Sequence, residues 1–320
     1  MKVLFVYRAP EHSPNHVKSD AAVLDAVRLG LGQAGVFAGS ESVTTGDSAV
    51  TEQASADVVT CSEQALPADL EGFDLILHMG RRLSTLVRLE RLRHPLVVNS
   101  PQGVRHVAQS RELTFMLLQS AGISVPQWWA FDPEADEMFL TEPDLQSLLP
   151  GWVKAMRTDG VRPEDVVYVA SPLEADSRIL ELAAQQVPDI VVTRHLEGDL
   201  IKCYCVLAPQ PSKAPFIRWF YPQESGYSKF GQAEQYNSPL AHVPFAEARL
   251  SQLALSIART LELQVFGFDA IVQPSLSPGQ EPVISVIDVN DWPSFSSCRQ
   301  EAARAIMRFA TVAVAQPANP

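Results

Sequence analysis

Short and almost unbroken apolar runs recur along the first hundred residues: KVLFVYR at 2–8, FDLILHM at 73–79 and PLVVN at 95–99. Runs of this length that do not alternate with polar residues read as strands buried on both faces. Between the first two, Val17–Ala34 has helical spacing, with Val23, Leu24, Val27, Leu29 and Leu31 available for one packed face. Residues 37–70 are rich in Ser, Thr, Ala and Asp and read mainly as loop, with one strand. Strands alternating with helices predict a small, parallel, doubly wound α/β domain over residues 1–100.

The pattern then changes. A helix opens near Pro101, and a second runs through Leu113–Gln119 to a stop at Ala121-Gly122, where glycine commonly ends a helix. GWVKAM (151–156) reads as a strand, RTDGVRPED as a loop, VVYVAS (166–171) as a strand and 172–187 as a helix. IVVTRHLEGDLIKCYCVL holds two strands around a turn at Glu197-Gly198, and FIRWFYP (216–222) is another strand. An amphipathic helix from Pro244 to Leu261 precedes two strands, Phe266–Val272 and Val283–Val289, joined by a turn rich in Ser, Pro and Gly. A final helix covers Arg299–Val314.

Composition narrows the possible functions. Hydrophobic residues make up 46% and charged residues 19%, a globular balance, and 320 residues can bury a sizeable core in two or three subdomains. The formal charge of −12, with no basic run, argues against a nucleic-acid partner, because phosphate-backbone binding rests on clustered Lys and Arg. The apolar run before Arg8 is too short for a signal-peptide core and no segment reaches membrane-span length, so the expectation is a cytoplasmic protein without a membrane partner. Cys61, Cys203, Cys205 and Cys298 form no C-x-x-C pair and read as buried thiols.

Chemistry concentrates in FGFDAIVQPSLSPGQEPVISVIDVNDWPSF (266–295). Asp269 interrupts the first strand of this segment, while Asp288 and Asn290 close the second. Residues i and i+2 share a strand face, so Asp288 and Asn290 project together, and strand pairing can bring Asp269 beside them. Two carboxylates and an amide oxygen are a hard-oxygen set suited to Mg²⁺. A lone D-x-N can equally open a turn before Pro293; the acid on the preceding strand favours a metal site. At the other end, Arg8, Glu11, His12, Asn15 and His16 follow the first strand, where α/β folds place ligands, and could bind a second substrate or form an exposed polar loop.

In order, four of these stations resemble the ATP-grasp superfamily over residues 95–312: NSPQGVRHVAQSRELTFMLLQSAGISVPQ, WVKAM, DIVVTRHLEGDLIKCYCV, and GFDAIV followed by VIDVNDWPSF. The resemblance implies an ATP-grasp fold, α/β overall and α+β in its nucleotide-binding part, behind an N-terminal pre-ATP-grasp α/β domain. It divides the chain into 1–100, a small subdomain with linker helices over 101–200, and a metal-bearing subdomain over 201–320. It implies ATP with two Mg²⁺ ions, Mn²⁺ being able to substitute. Lys154 and Arg111 would contact phosphates, and the backbone of Arg194, His195 and Leu196 would meet the adenine edge. Asp199, or its neighbour Glu197, would bind the ribose, and Lys202 and Arg218 would face the transferred phosphate and the acceptor. Asp269, Asp288 and Asn290 would hold the metal, and Asn237 would lie near the substrate.

Two features depart from the family pattern. Only Gly160 stands where a glycine-rich loop usually closes over the phosphates, and Asp288-Val289-Asn290 replaces the E-x-N of most ligases. D-x-N also occurs in the inositol-phosphate kinase branch. The resemblance therefore implies a ligase that activates a small carboxylate as an acyl phosphate for an amine or similar nucleophile. A small-molecule kinase and a catalytically inactive nucleotide-binding module are the alternatives. A heavily phosphorylated acceptor would need a dense basic pocket, for which Arg81, Arg82, Arg88, Arg91 and Arg93 are candidates, although a solvated helix face explains them equally well. His195 and His242 read as packed or solvated residues, and oligomeric state is left open.

Overall fold

A computed structural model describes residues 1–12, 17–33, 58–93, 96–131, 146–157, 162–210, 213–224, 240–275, 277 and 279–315. Three four-stranded sheets organise them. In the first, β1 (Val3–Tyr7), β2 (Val58–Ser62), β3 (Leu75–His78) and β4 (Leu96–Val98) lie parallel in the order β2-β1-β3-β4. The unbroken apolar runs follow from burial on both faces. Val3 and Phe5 pack with α1 (Val17–Gln33), while Leu4 and Val6 pack beneath α2 (Leu83–Glu90) with Phe73 and Leu89. Thus α2 occupies the arginine-rich stretch that reads in sequence as a solvated helix face, and it buries Thr85, Leu86 and Leu89.

The second sheet, ordered β5-β8-β6-β7, contains β5 (Trp128–Ala130), β6 (Gly151–Met156), β7 (Val166–Val169) and β8 (Asp189–Arg194), all antiparallel. Helices α3 (Pro101–Gln109) and α4 (Arg111–Ser120) lead into it, and α5 (Pro172–Ala184) packs on it. Ser100 and Ser110 cap α3 and α4 by accepting the N–H groups of Gly103 and Leu113, and α3 begins with Pro101, which fits a first-turn position without an N–H donor. Gly122, at φ +73°, ends α4 in the left-handed conformation the sequence anticipates.

The third sheet holds β9 (Asp199–Val206), β10 (Phe216–Phe220), β11 (Val265–Gln273) and β12 (Val283–Asp291) in the antiparallel order β10-β9-β11-β12. Helix α6 (Glu247–Leu261) covers one face with Leu250, Ile257 and Leu261 against Phe266, Phe268 and Val286. Helix α7 (Arg299–Ala315) returns to the first sheet and packs beside α1. Fully buried Trp292 and Phe295 join the same core, so the chain's end seals its beginning. Asn99 adds a polar tie: its amide donates to the Val265 carbonyl and accepts from the Gln264 and Val265 N–H groups. Cys203, Cys205 and Cys298 are buried and free, as the sequence suggests, and Cys61 is half-buried and free. Among the described residues, no helix is long and apolar enough to cross a membrane.

Gly103 shows how closely these pieces approach. A Cβ there would lie 2.4 Å from the Glu262 carbonyl oxygen and 2.5 Å from that of Leu261. Alanine should gain about 1 kcal/mol from helix propensity, but the backbone clash costs about 1–3 kcal/mol and requires α3 to move. Gly103→Ala is therefore expected to lower the urea midpoint; a raised midpoint would show that α3 moves freely against α6.

Candidate functional site

Strand register builds the site. Antiparallel pairing places Phe220, Lys202, Asp269 and Asp288 in one row across the third sheet, and Arg218, Tyr204, Gly267 and Asn290 in the next. Directly opposed residues share a sheet face, so the three proposed metal ligands and the two proposed catalytic cations start from one surface. A bulge makes this possible. Ala270 pairs with Val286 but Asp269 pairs with Asp288, leaving Ile287 as the extra residue. In unbroken register Asp288 would follow Val286 into the core, and Asp269 would face Ile287 instead. Bulges re-aim side chains in this way beside functional sites.

Lys202 reaches along the first row to Asp269, Nζ to Oδ2 2.6 Å. Arg111, from the first turn of α4, crosses from the second sheet and donates through Nη1 to Asp288 Oδ1 at 2.9 Å. Its Nε donates to the Ala155 carbonyl, which fixes the guanidinium against β6. Asn290 donates through Nδ2 to Asp288 Oδ2 at 2.9 Å, so its own carbonyl oxygen is not used in that bond. Lys154 extends from β6 to the bulge, where Nζ donates to the Ile287 carbonyl at 2.9 Å and stands 5.6 Å from the centre of the Phe115 ring. The site therefore lies where the second and third sheets face each other. An apolar recess lined by Val107, Phe115, Leu118, Met156 and Val289 sits against Arg111 and Asp288.

Burial and charge oppose each other here. Burial alone pushes the Asp288 carboxyl up, but Arg111, then Lys154 and the Asn290 amide, outweigh it and hold the group below its ordinary 3.8. Lys154 is 6% exposed. Burial first and Arg111 second lower its ammonium to about 8, against partial compensation from Asp288 and Asp269. Cations from β6, α4 and β9 thus gather around the Asp269 and Asp288 carboxylates. The set of two carboxylates and one amide oxygen fits Mg²⁺, although among the described residues no three His, Cys, Asp or Glu side chains are grouped to hold a metal.

Other sequence-selected residues lie farther out. Arg218 is half-exposed and stands 3.6 Å from Glu301 of α7. At the β8–β9 turn, the Arg194 and His195 N–H groups donate to the carbonyls of Gln127 and Pro150, and Leu196 follows. The His195 ring accepts from Trp152 Nε1 at 3.1 Å and meets the Tyr168 ring edge-on, which makes it a packed residue as expected. Glu197 is exposed on the turn, whereas Asp199 is buried and its two oxygens accept the backbone N–H groups of Ala241 and Val243. Asp199 thus anchors the segment after residue 239 and is not presented on the turn. Gly160, Asn237 and residues 13–16 lie outside the described residues.

Sequence reasoning missed Asp291. Its carboxylate is fully buried and held by Arg8 and Arg81. An acid directly after the D-x-N, in a strand that then reaches a buried tryptophan, was the available signal. The bulge had one too: adjacent Val286 and Ile287 break the alternation of β12.

No protein-family model and no curated protein matches the sequence. Solved structures do match along the full chain. A D-alanine–D-alanine ligase from Bacillus anthracis complexed with ATP superposes with a TM-score of 0.61 at 13% identity, covering 100% of both chains. D-alanyl-alanine synthetase A from Vibrio cholerae gives 0.64 at 10% identity over 99% of each chain. A RimK domain ATP-grasp protein from Sphaerobacter thermophilus gives 0.58 at 16% identity, covering 96% of this chain and 99% of that one. The chain has the ATP-grasp fold, with the N-terminal parallel sheet and two antiparallel sheets that the motif order implied.

Because the Asp288 carboxyl titrates lower folded than unfolded, its contribution to stability is complete above about pH 4 and is lost as pH falls through the folded value. At pH 7, Asp288→Asn should destabilise by about 1.5–3 kcal/mol, the scale of a hydrogen bond to a charged group. Urea unfolding at about pH 2–3 should show the gap to wild type closing. A gap independent of pH would mean that Arg111 does not hold this carboxylate.

Proposed function

We propose that this protein is an ATP-dependent ligase that activates a small carboxylate as an acyl phosphate for attack by an amine or similar nucleophile. The observation that carries the reading is the convergence of Lys154, Arg111 and Lys202 on Asp269, Asp288 and Asn290, where two sheets face each other. That the structural neighbours include D-alanine–D-alanine ligases, one of them complexed with ATP, supports the ligase class without fixing the substrate.

The ion pairs suggest how nucleotide and metal would enter together. Asp269, Asp288 and Asn290 would hold Mg²⁺, which when bound neutralises phosphate charge. In the free protein the two carboxylates are occupied by Lys202 and Arg111. Withdrawing a partner from a part-buried ion pair is costly unless a new one replaces it. An arriving cation would take the carboxylates while phosphate oxygens take the released lysine and arginine. Each ligand therefore removes the other's penalty, and neither binds well alone. Lys154, with Arg111, would grip phosphate oxygens, Arg111 in a forked geometry. Glu197, the exposed acid of the turn, would take the ribose hydroxyls, and an adenine edge would be read at Leu196, since the preceding two N–H groups are engaged.

In the chemical step, a substrate carboxylate oxygen bonds to the γ-phosphorus as the bond to the ADP oxygen breaks. The nucleophile then attacks the acyl carbon and inorganic phosphate leaves. Lys202 neutralises charge on the transferring group, and positioning supplies much of the remaining acceleration. Arg218, in the second row, stands on the acceptor side.

The kinase reading draws on Asp288-Val289-Asn290. Against it, three of the five arginines that a polyphosphate acceptor would need are already engaged: Arg81 with Asp291, Arg82 with Glu11, and Arg88 with the Pro67 and Ala68 carbonyls. Ligation remains the better account.

Binding of ATP is expected to require a divalent ion, and Asp288→Asn or Asn290→Ala should abolish turnover. Unchanged turnover in both variants would remove the metal assignment. Lys154→Ala should weaken nucleotide binding by about 1.5–3 kcal/mol. Affinity of the wild type should fall as pH rises through about 8, because phosphate prefers the charged ammonium and raises its pKa on binding. With a carboxylate substrate present, hydroxylamine should trap a hydroxamate. A stable phosphate ester on a polyol, with no hydroxamate from any carboxylate tried, would favour the kinase.

A further inference from the structure

Asp291 adjoins Asn290 on β12 but points to the opposite face of the strand, away from the candidate metal site. Its side chain is 0% exposed. Arg8, from the end of β1, donates through Nη2 to Asp291 Oδ2 at 2.9 Å and to the Asp291 carbonyl at 3.3 Å. The same guanidinium donates through Nε to the Met79 carbonyl and lies 3.5 Å from Asp20 of α1. Arg81, from the segment after β3, donates through Nε to Asp291 Oδ1 at 2.8 Å. Buried Glu63 completes the assembly by accepting the backbone N–H groups of Ala9, Arg81 and Arg82. Residues 8–12 and 79–82 are therefore tied to each other through Glu63 and to β12 through Asp291.

Cohesion alone does not account for this arrangement. The same junction already buries Trp292 and Phe295 with Phe5, Leu77 and Ile306. Buried ion pairs add little net stability beside such packing, because desolvation offsets their attraction. What they do supply is direction. Forked guanidinium contacts tolerate little rotation, and two of them from separate segments fix one carboxylate in space. The segments so fixed leave the carboxyl ends of parallel strands, where folds of this kind place ligands.

We propose that Asp291 is a positioning residue: its carboxylate, gripped by Arg8 and Arg81, registers the 8–12 and 79–82 segments against Asn290. Occupancy at Asn290 is then felt one residue along the strand and passes to the first sheet. The proposal rests on the reading of Asn290 as a ligand of the metal–nucleotide site.

Hydrogen exchange on the full chain, with and without Mg²⁺ and a non-hydrolysable ATP analogue, tests it. In the wild type, amides of 8–12 and 79–82 should exchange several-fold more slowly once the analogue binds. Asp291→Asn should still bind the analogue, weakened by no more than the several-fold factor that reciprocal coupling demands, yet show no slowing in either segment. Asp291→Glu should restore part of the response, which a merely space-filling role would not require. Because Asp291→Asn leaves two buried guanidinium groups without the carboxylate they share, Arg81→Met serves as the second variant and covers a failure of the first to fold. It keeps the Arg8–Asp291 pair and should lose the slowing at 79–82. Wild-type segments that ignore a bound analogue, or a folded variant that responds as the wild type does, would overturn the proposal. A wild type that binds no analogue would overturn the nucleotide reading first, and this inference with it.

Discussion

Ile287 is one residue too many for β12, and that excess determines which side chains meet. Opposite β11 it absorbs the register shift, so that Val286 stays in the core while Asp288 turns to join Asp269. Its carbonyl, displaced from the regular ladder, receives the Lys154 ammonium from the facing sheet. A straight strand would bury Asp288 among Val286 and Phe268, where an isolated carboxylate could not remain charged. The bulge therefore sets the ligand row, the contact between the two antiparallel sheets and the environment of the lysine together.

Electrostatic balance follows from that geometry. Lys154, Arg111 and Lys202 meet Asp269 and Asp288 where apolar side chains limit water, so each charge depends on its neighbours. Arg111 illustrates the compromise. It holds Asp288 ionised, yet the same positive charge lowers the Lys154 ammonium toward neutrality. Cations gathered in this way would suit an anionic ligand. A nucleotide accompanied by a divalent ion would bring both signs at once, so under the proposed function the ion pairs of the free site would not block it.

Much of this was legible in the chain. Apolar runs without alternation marked the parallel strands, because burial on both faces leaves no polar positions. Ser100, Pro101 and Gly122 marked helix ends, because capping chemistry is local. Asp269, Asp288 and Asn290 stood out as polar residues in otherwise apolar strands. What was not legible depended on partners distant in sequence. Asp199 looked like a ribose acid, and only the folded chain shows its oxygens accepting from Ala241 and Val243. Arg81 and Arg82 looked like a basic patch, until Asp291 and Glu11 met them across the fold. Charge in a sequence gives supply, and only the structure shows how much of it is already paired.

The two faces of β12 tie the N-terminal sheet to the candidate site. Even-numbered Asp288 and Asn290 look toward the cations of β6, α4 and β9. Odd-numbered Asp291 looks back, toward Arg8 and Arg81. A strand transmits displacement between its faces because neighbouring residues share one backbone, and here that backbone is held on one side by β11 and beyond its end by buried Trp292. Helix α7 then carries the chain back against α1, which closes the core around the first sheet. Residues from the two ends of the described chain are thereby fixed relative to a single strand, and a group bound beside Arg8 or Arg82 would have a defined distance to Asn290. That shared frame is what a reaction between two separately bound partners requires.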